Sequence, residues 1–529
     1  MILQILLLVA YFALLVGIGL YCRRHSTDVN GFVLGGRSVG PWLTAFAYGT
    51  SYFSAVVFVG YAGQFGWKYG VSATWAGIGN ALIGSLLAWA VLGRRTRIMT
   101  QHLDSATMPD FFAKRFGSPA LRLGASLIIF VFLIPYTASL YNGLSRLFSM
   151  AFPGIDYVWC IILMAVLTAV YVIAGGYMAT AINDFIQGVV MLFGISAVIV
   201  AILHSQGGLM AALDSLARVE GPEIVAGRGP SPGIFTSVLG PDPLNLLFVV
   251  VLTSLGTWGL PQMVQKFYAI KNEGSIKKGT LISTLFAFVI AGGCYFLGGF
   301  GRLFADHLDV TAKGVPAGGF DAIIPTMLEK GQLSTALMAL VVILVLSASM
   351  STLSSLVITS SSTLTIDFLN GTVYKKMTQR AQVLWIRVLL VVFIAISAAL
   401  AIVQAKSRVT FIAQMMGISW GALAGSFLAP FLYALYSRRV TKASVWVCFV
   451  FAVALTVANI FWKPVVAGIG VVTPIHTGAI AMVAGLVIVP VVSLFTPKPS
   501  PALVDGAFAC YDKTTLVRQS TALGAETIK

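Results

Sequence analysis

Carboxylates and hydroxyls set in apolar surroundings are the residues of this chain best placed to do chemistry. Asp184 stands in the stretch GGYMATAINDFIQGVVMLFG, with Asn183 and Gln187 beside it. A carboxylate at mid-bilayer costs at least ~2.5 kcal/mol unless it is paired or solvated. In such a place Asp184 would be a cation ligand or a proton carrier. At the end of a span it would be an ordinary acid meeting interfacial water, and position alone leaves both readings open. Asp367, at the end of a later apolar stretch, is expected at the water interface.

A second signal is the run LVLSASMSTLSSLVITSSSTLTIDF, which carries Ser347, Ser351, Thr352, Ser354, Ser355 and Thr359. On a helix, Ser351, Ser354 and Ser355 share one face, and hydroxyl oxygens are hard ligands suited to a small hard cation. The same groups could equally bond back to helix carbonyls or join neighbouring helices. Catalysis is disfavoured, because His25, His102, His204, His307 and His476 fall between apolar stretches or at their ends, without clustered Asp or Cys. Cys22, Cys160, Cys294, Cys448 and Cys510 lack CxxC spacing and read as packing residues, so neither a disulfide framework nor a cysteine metal site is expected.

The elements that must position these groups are membrane helices. Of 529 residues, 58% are hydrophobic and 10% charged, and the mean hydropathy is +0.91, which makes lipid the main solvent. Windows of about twenty residues mark helices at roughly 2–22, 40–66, 71–93, 119–148, 157–175, 180–204, 245–268, 279–302, 334–368, 382–405, 409–436, 442–462 and 474–495. The first lacks a basic leader and a cleavage site, so it reads as a retained span. The formal charge of +16 forms no single patch that would suit nucleic acid. It lies in alternate loops: Arg23, Arg24 and Arg37; Arg94, Arg95, Arg97, Lys114 and Arg115; Lys266, Lys271, Lys277 and Lys278; Lys375, Lys376 and Arg380; Arg438, Arg439 and Lys442. By the positive-inside rule these loops are cytoplasmic, which puts the N-terminus outside and the C-terminus inside a plasma membrane. The polar tail after Pro497 is expected to be poorly ordered.

Two spans look broken. The second contains Gly49, Gly60, Gly63 and Gly66, and the seventh contains Gly256, Gly259 and Pro261. Five spans separate their starts, as expected for two inverted repeats whose broken helices bind substrate or ions. Glycines that merely permit close helix packing would look the same one at a time.

Four segments, GGRSVGPWLTAFAYGTSYFSAVVFVGYAGQFGWKYG at 35–70, GGYMATAINDFIQG at 175–188, GTWGLPQMVQKFYA at 256–269 and ASMSTLSS at 348–355, make the chain resemble the sodium:solute symporter family across nearly its whole length. The resemblance implies an all-α integral membrane protein of the leucine-transporter fold, with five-plus-five inverted repeats. Its divisions would be an extra helix and loop (1–38), a first repeat (39–205), an extracellular loop (206–244), a second repeat (245–437), two further helices (438–496) and a cytoplasmic tail (497–529). It further implies a main sodium site built from backbone carbonyls of Thr50, Phe53 and Ala348 and hydroxyls of Ser351 and Thr352. A second sodium would use Asp184, Ser354 and Ser355. The solute pocket would fall on Tyr52, Ser54, Val57, Thr253, Thr257, Trp258 and Gln414.

The residues after Ser54, namely Ala55, Val56, Val57 and Phe58, depart from the polar residues of sugar carriers. GLPQ after Trp258 resembles pantothenate and monocarboxylate carriers, whereas Thr253 and Thr257 replace the aromatic residues typical of proline carriers. The expectation is therefore sodium-coupled import of a small carboxylate-bearing solute such as pantothenate, a monocarboxylate or an amino acid like proline. A sugar or sialic-acid symporter, or a non-transporting sensor on the same scaffold, is the alternative. No enzyme activity and no cofactor is expected, sodium being a co-transported ligand. A monomer in the bilayer would suffice. No arginine or lysine is expected within the pocket spans to pair with the carboxylate, which leaves helix-break amides or a bound sodium.

Overall fold

The structure is a computed structural model that describes residues 2–23, 27–51, 53–152, 154, 156–219, 233–310, 314–316, 318–331, 333–374, 376–407, 412–462 and 472–511. These residues are almost wholly helical, with no β-strand among them. In chain order the helices that matter are α1 (Ile2–Cys22), α2 (Pro41–Thr50), α3 (56–69), α4 (74–102), α5 (Met108–Phe116) and α6 (Pro119–Ala151). They continue as α7 (157–175), α8 (177–205), α9 (Pro243–Gly259), α10 (Pro261–Ala269), α11 (Glu273–Gly298), α12 (Thr335–Val373) and α13 (Gln379–Ser407). Last come α14 (Ile412–Tyr436), α15 (Lys442–Phe461), α16 (Pro474–Phe495) and α17 (501–511).

Nine helices among the described residues are long and apolar enough to cross a membrane, ten if α9 and α10 count as one span bent by 45°. Two of the nine contain breaks that glycine alone tolerates. Gly70, between α3 and α4, has φ 62° and ψ −143°, and Gly176, between α7 and α8, has φ 58° and ψ −152°. That region of backbone space is nearly closed to residues with a Cβ. At Gly70 a Cβ would also collide with the Phe235 carbonyl oxygen.

Two further interruptions are positioned to matter. α2 stops at Thr50 and α3 begins at Val56, with wide i-to-i+5 turns over Val56–Tyr61, a winding that recurs at functional sites. α9 stops at Gly259, and Pro261, lacking an N–H, opens α10. Glycines let the broken helices approach their neighbours closely. A Cβ on Gly188 of α8 would strike the Phe46 ring and come within 3.1 Å of Thr50, so α8 lies directly against the end of α2.

Two features near the ends of the helices depart from expectation. Asp367 is not at the water interface. It is fully buried, accepting from Arg122 at 2.8 Å and from the Thr107 hydroxyl at 2.7 Å, while Arg122 also meets Asp110 at 3.1 Å. A buried carboxylate is tolerable when paired and hydrogen-bonded in this way. The tail is ordered at least over α17. Its Phe508 ring lies under the guanidinium of Arg115 at 4.9 Å, Tyr511 under that of Arg95 at 4.7 Å, and the Gly506 carbonyl meets His102 at 2.8 Å. Aromatic residues embedded in a polar tail thus find basic partners on α4 and α5.

Tight backbone contact makes a first test. A Cβ on Gly66 of α3 would overlap the Gly298 carbonyl of α11. Gly66→Val is expected to cost about 1–3 kcal/mol through overpacking, read as a lower thermal midpoint of the detergent-purified protein. An unchanged midpoint would show that these helices do not touch there.

Candidate functional site

The interruption after α2 turns backbone carbonyls toward α12. Ser351 Oγ donates within reach of the carbonyls of Thr50 and Ala348, both at 3.1 Å. Thr352 Oγ1 lies 3.0 Å from the Thr50 carbonyl, 3.3 Å from that of Phe53 and 3.1 Å from that of Ala348. Thr50, Ser351 and Thr352 are fully buried, and Phe53 and Ala348 nearly so. Two hydroxyl protons are thus shared among five oxygens, which leaves lone pairs facing one another. Calcium, close to sodium in size, takes oxygens at about 2.3–2.6 Å, which at right angles spaces them about 3.3–3.7 Å apart. The cage would need to open by only a few tenths of an ångström to hold such an ion. α12 is braced for this by Tyr11 of α1, whose hydroxyl meets Ser347 at 2.9 Å, and by Tyr171 of α7, which donates to the Met350 carbonyl at 2.8 Å.

Asp184 is fully buried, so it is not an interfacial acid. Neither of its carboxylate oxygens accepts a hydrogen bond among the described residues, and the same holds for the amides of Asn183 and Gln187. Its ionic partner is Lys266 of α10, with Nζ 4.0 Å from Oδ2. That ammonium donates to Ser355 Oγ at 3.0 Å and lies 4.9 Å from the centre of the Tyr177 ring. Ser355 in turn meets Ser51 Oγ at 2.8 Å, and Ser51 donates to the Ala47 carbonyl. Ser354, expected with this group, instead bonds back to the Ser351 carbonyl at 2.9 Å.

Lys266 corrects the sequence reading, which assigned it to a cytoplasmic loop and expected no lysine within the pocket spans. Its surroundings carried the signal, since QMVQKFYA has no loop-forming residue before Lys271 and Asn272. Ser51 was also missed, for it lies outside the serine-rich run.

The solute-pocket candidates are less available than their types suggested. Thr253 Oγ1 bonds back to the Val249 carbonyl at 2.9 Å, Thr257 Oγ1 donates to the Gly84 carbonyl at 2.9 Å, and Trp258 Nε1 donates to the Ile83 carbonyl at 2.9 Å. Ser54 Oγ accepts from the Val56 N–H at 3.2 Å, and Val57 is buried. Gln414 is half-buried, and Tyr52 lies outside the described residues. A residue not nominated is Gln262. It is fully buried beside the α9–α10 break, with both amide atoms lacking a partner among the described residues. A small apolar cavity flanks the α2 break, with Phe53, Ser54, Leu344 and Ala348 in its wall.

At the C-terminal end of α10, Arg37 donates to the carbonyls of Tyr268 at 3.3 Å and Ser105 at 2.6 Å, and Arg97 donates to that of Ile270 at 2.5 Å. These bonds tie the end of α10 to the neighbouring loops.

Comparison with known proteins agrees with this architecture. A family model described as the sodium:solute symporter family matches residues 32–450. The sodium/proline symporter of Staphylococcus aureus (strain JH9) is 29% identical over 514 residues, covering 93% of each chain, and that of strain NCTC 8325 matches equally. Among solved structures, a Na+-coupled sialic acid symporter in a substrate-bound outward-open state superposes with a TM-score of 0.71 at 16% identity, over 94% of this chain and 98% of that one. At that identity the likeness concerns the fold.

The buried pair generates a second test. Removing one partner of a buried ion pair typically costs about 3–5 kcal/mol, because the other charge is left uncompensated. Asp184→Ala should therefore melt well below wild type in sodium-free buffer, and Asp184→Asn combined with Lys266→Met should recover much of the loss. Equal midpoints for all three proteins would mean that the pair is not charged.

Proposed function

The chain belongs to the sodium:solute symporter family, and from that premise we propose that it imports a small carboxylate-bearing organic solute together with sodium by alternating access. The observation that carries this reading is the oxygen cage of Thr50, Phe53, Ala348, Ser351 and Thr352, whose hydroxyl protons are too few for its contacts. In the proposed cycle sodium entering from outside binds this cage and fixes α2 against α12. That contact shapes the solute pocket at the two helix breaks. Opening to the cytoplasm then requires release of the Arg37 and Arg97 bonds at the end of α10. α2–α8 and α9–α14 would be the two inverted repeats, within thirteen crossings that leave the C-terminus inside.

For the solute, Gln262 and the N-terminal end of α10 offer an amide and a partial positive charge to a carboxylate. Thr253, Thr257 and Trp258, their polar atoms engaged with backbone, would form the pocket's wall. Proline is the first solute to try, since relatives 29% identical over nearly the whole chain are named for it. Pantothenate, pyruvate and acetate come next. The driving force is adequate: a charge crossing about 100 mV gives roughly 2.3 kcal/mol and a tenfold sodium gradient about 1.4 kcal/mol, enough together for roughly a 500-fold accumulation of a neutral solute.

Radiolabelled uptake of these four compounds into proteoliposomes should require sodium outside. Undiminished uptake in choline would defeat sodium coupling. Ser351→Ala and Thr352→Ala should each raise the half-saturating sodium concentration, by about 5- to 150-fold if a lost ligand costs about 1–3 kcal/mol. Unchanged sodium dependence in both would move the site elsewhere.

A further inference from the structure

Asp184 and Ser355 are the acid and hydroxyl that a second sodium would need, yet the space they share holds a side chain. Lys266 Nζ lies 3.0 Å from Ser355 Oγ and 4.0 Å from Asp184 Oδ2, so a sodium bonded to both would compete with the ammonium for the same oxygens. We propose that the Lys266 ammonium is a built-in cation standing in place of a second sodium, so that each transport cycle carries one sodium ion. The proposal rests on the sodium-symport reading above and specifies its stoichiometry.

Charge and hydrogen bonding both support it. Asp184 supplies a single negative charge, which the ammonium balances; a sodium ion beside that ammonium would bury a net positive charge in a poorly polarisable interior. The ammonium is fully buried with its serine partner. Ser51 gives its only hydroxyl proton to the Ala47 carbonyl, so Ser355 must donate to Ser51, and Lys266 donates to Ser355. One directed chain therefore runs from the ammonium on α10 through α12 to the end of α2. It reaches the residue directly after Thr50, whose carbonyl belongs to the main cage. A sodium ion would arrive from solution at this point, whereas the lysine is always present. Lys266 is thus a positioning residue for the main site, holding the α2 break in register with α12 before the transported ion binds. The oxygens and amides of Asp184, Asn183 and Gln187, which have no hydrogen-bond partner among the described residues, suit ordered water, which such buried polar clusters recruit.

The test counts sodium ions on the full-length purified protein with radioactive sodium, which needs no knowledge of the solute. Wild type should bind one ion per chain, and Lys266→Arg, which keeps the charge, also one. Lys266→Ala leaves Asp184 with Ser355 and Ser51 and should bind two, and adding Asp184→Asn should return the count to one. Sodium should also raise the thermal midpoint of Lys266→Ala more than that of wild type. If the alanine variant does not stay folded, Lys266→Gln removes the charge while keeping a donor to Ser355, and should gain the second ion likewise. Two ions on wild type, or one ion on both Lys266→Ala and Lys266→Gln, would overturn the proposal. Absence of any sodium on wild type would instead overturn the main-site reading beneath it, so the two failures are distinguishable.

Discussion

An unwound segment inside an apolar bundle must find partners for its backbone polar groups, and that requirement shapes much of this structure. In an apolar interior the carbonyls freed at the break need protein partners, and those of Thr50 and Phe53 find Ser351 and Thr352 on α12. A hydroxyl has one proton, and these two hydroxyls sit among three carbonyls. The arrangement is adequate without an ion and better with one, which is the condition for reversible binding. Were the carbonyls fully satisfied, sodium would gain little; were they wholly orphaned, α2 would not hold its place.

The same requirement explains why α12 is so polar for a buried helix. Ser347 faces α1, Ser351 and Thr352 face the carbonyls of the break, and Ser355 faces the α10 lysine and Ser51. Other hydroxyls, Ser354 and Ser361 among them, bond back to their own helix. Bonding back to the helix and joining neighbouring helices thus both occur in the serine-rich run, on different residues. The helix works as a rail against which the two broken spans are registered, through the cage on one side and the Lys266 chain on the other. Glycines at 66, 188 and 298 let the neighbouring helices approach closely.

Electrostatics divides the site in two. The cage is built from neutral dipoles alone, whereas Asp184 and Lys266 form a neutral pair whose separation would leave a buried charge. Two serine hydroxyls, those of Ser355 and Ser51, join the charged pair to the end of α2. The cluster of Asp110, Arg122 and Asp367 repeats the pattern of paired buried charge at the far end of α12.

The sequence by itself determined the class of molecule, since apolar runs of spanning length admit few other solutions. It also marked the two broken spans through Gly and Pro; helix spacing grouped Ser351 with Ser354 and Ser355, and the family resemblance carried by its motifs nominated Ser351 and Thr352. What it could not determine was depth and partnership across long separations. Asp184 and Asp367 looked alike as acids near helix ends, and both proved buried because Lys266 and Arg122, 82 and 245 positions away, come to meet them. Lys266 read as a loop residue because charge at a span's end ordinarily faces water. Only the packing of α10 between α8 and α12 decided otherwise, by supplying the carboxylate and hydroxyl that make a buried ammonium tolerable. Thr253, Thr257 and Trp258 had the types of a binding site, but the tertiary structure gave their polar atoms to backbone carbonyls, a choice that side-chain identity does not encode.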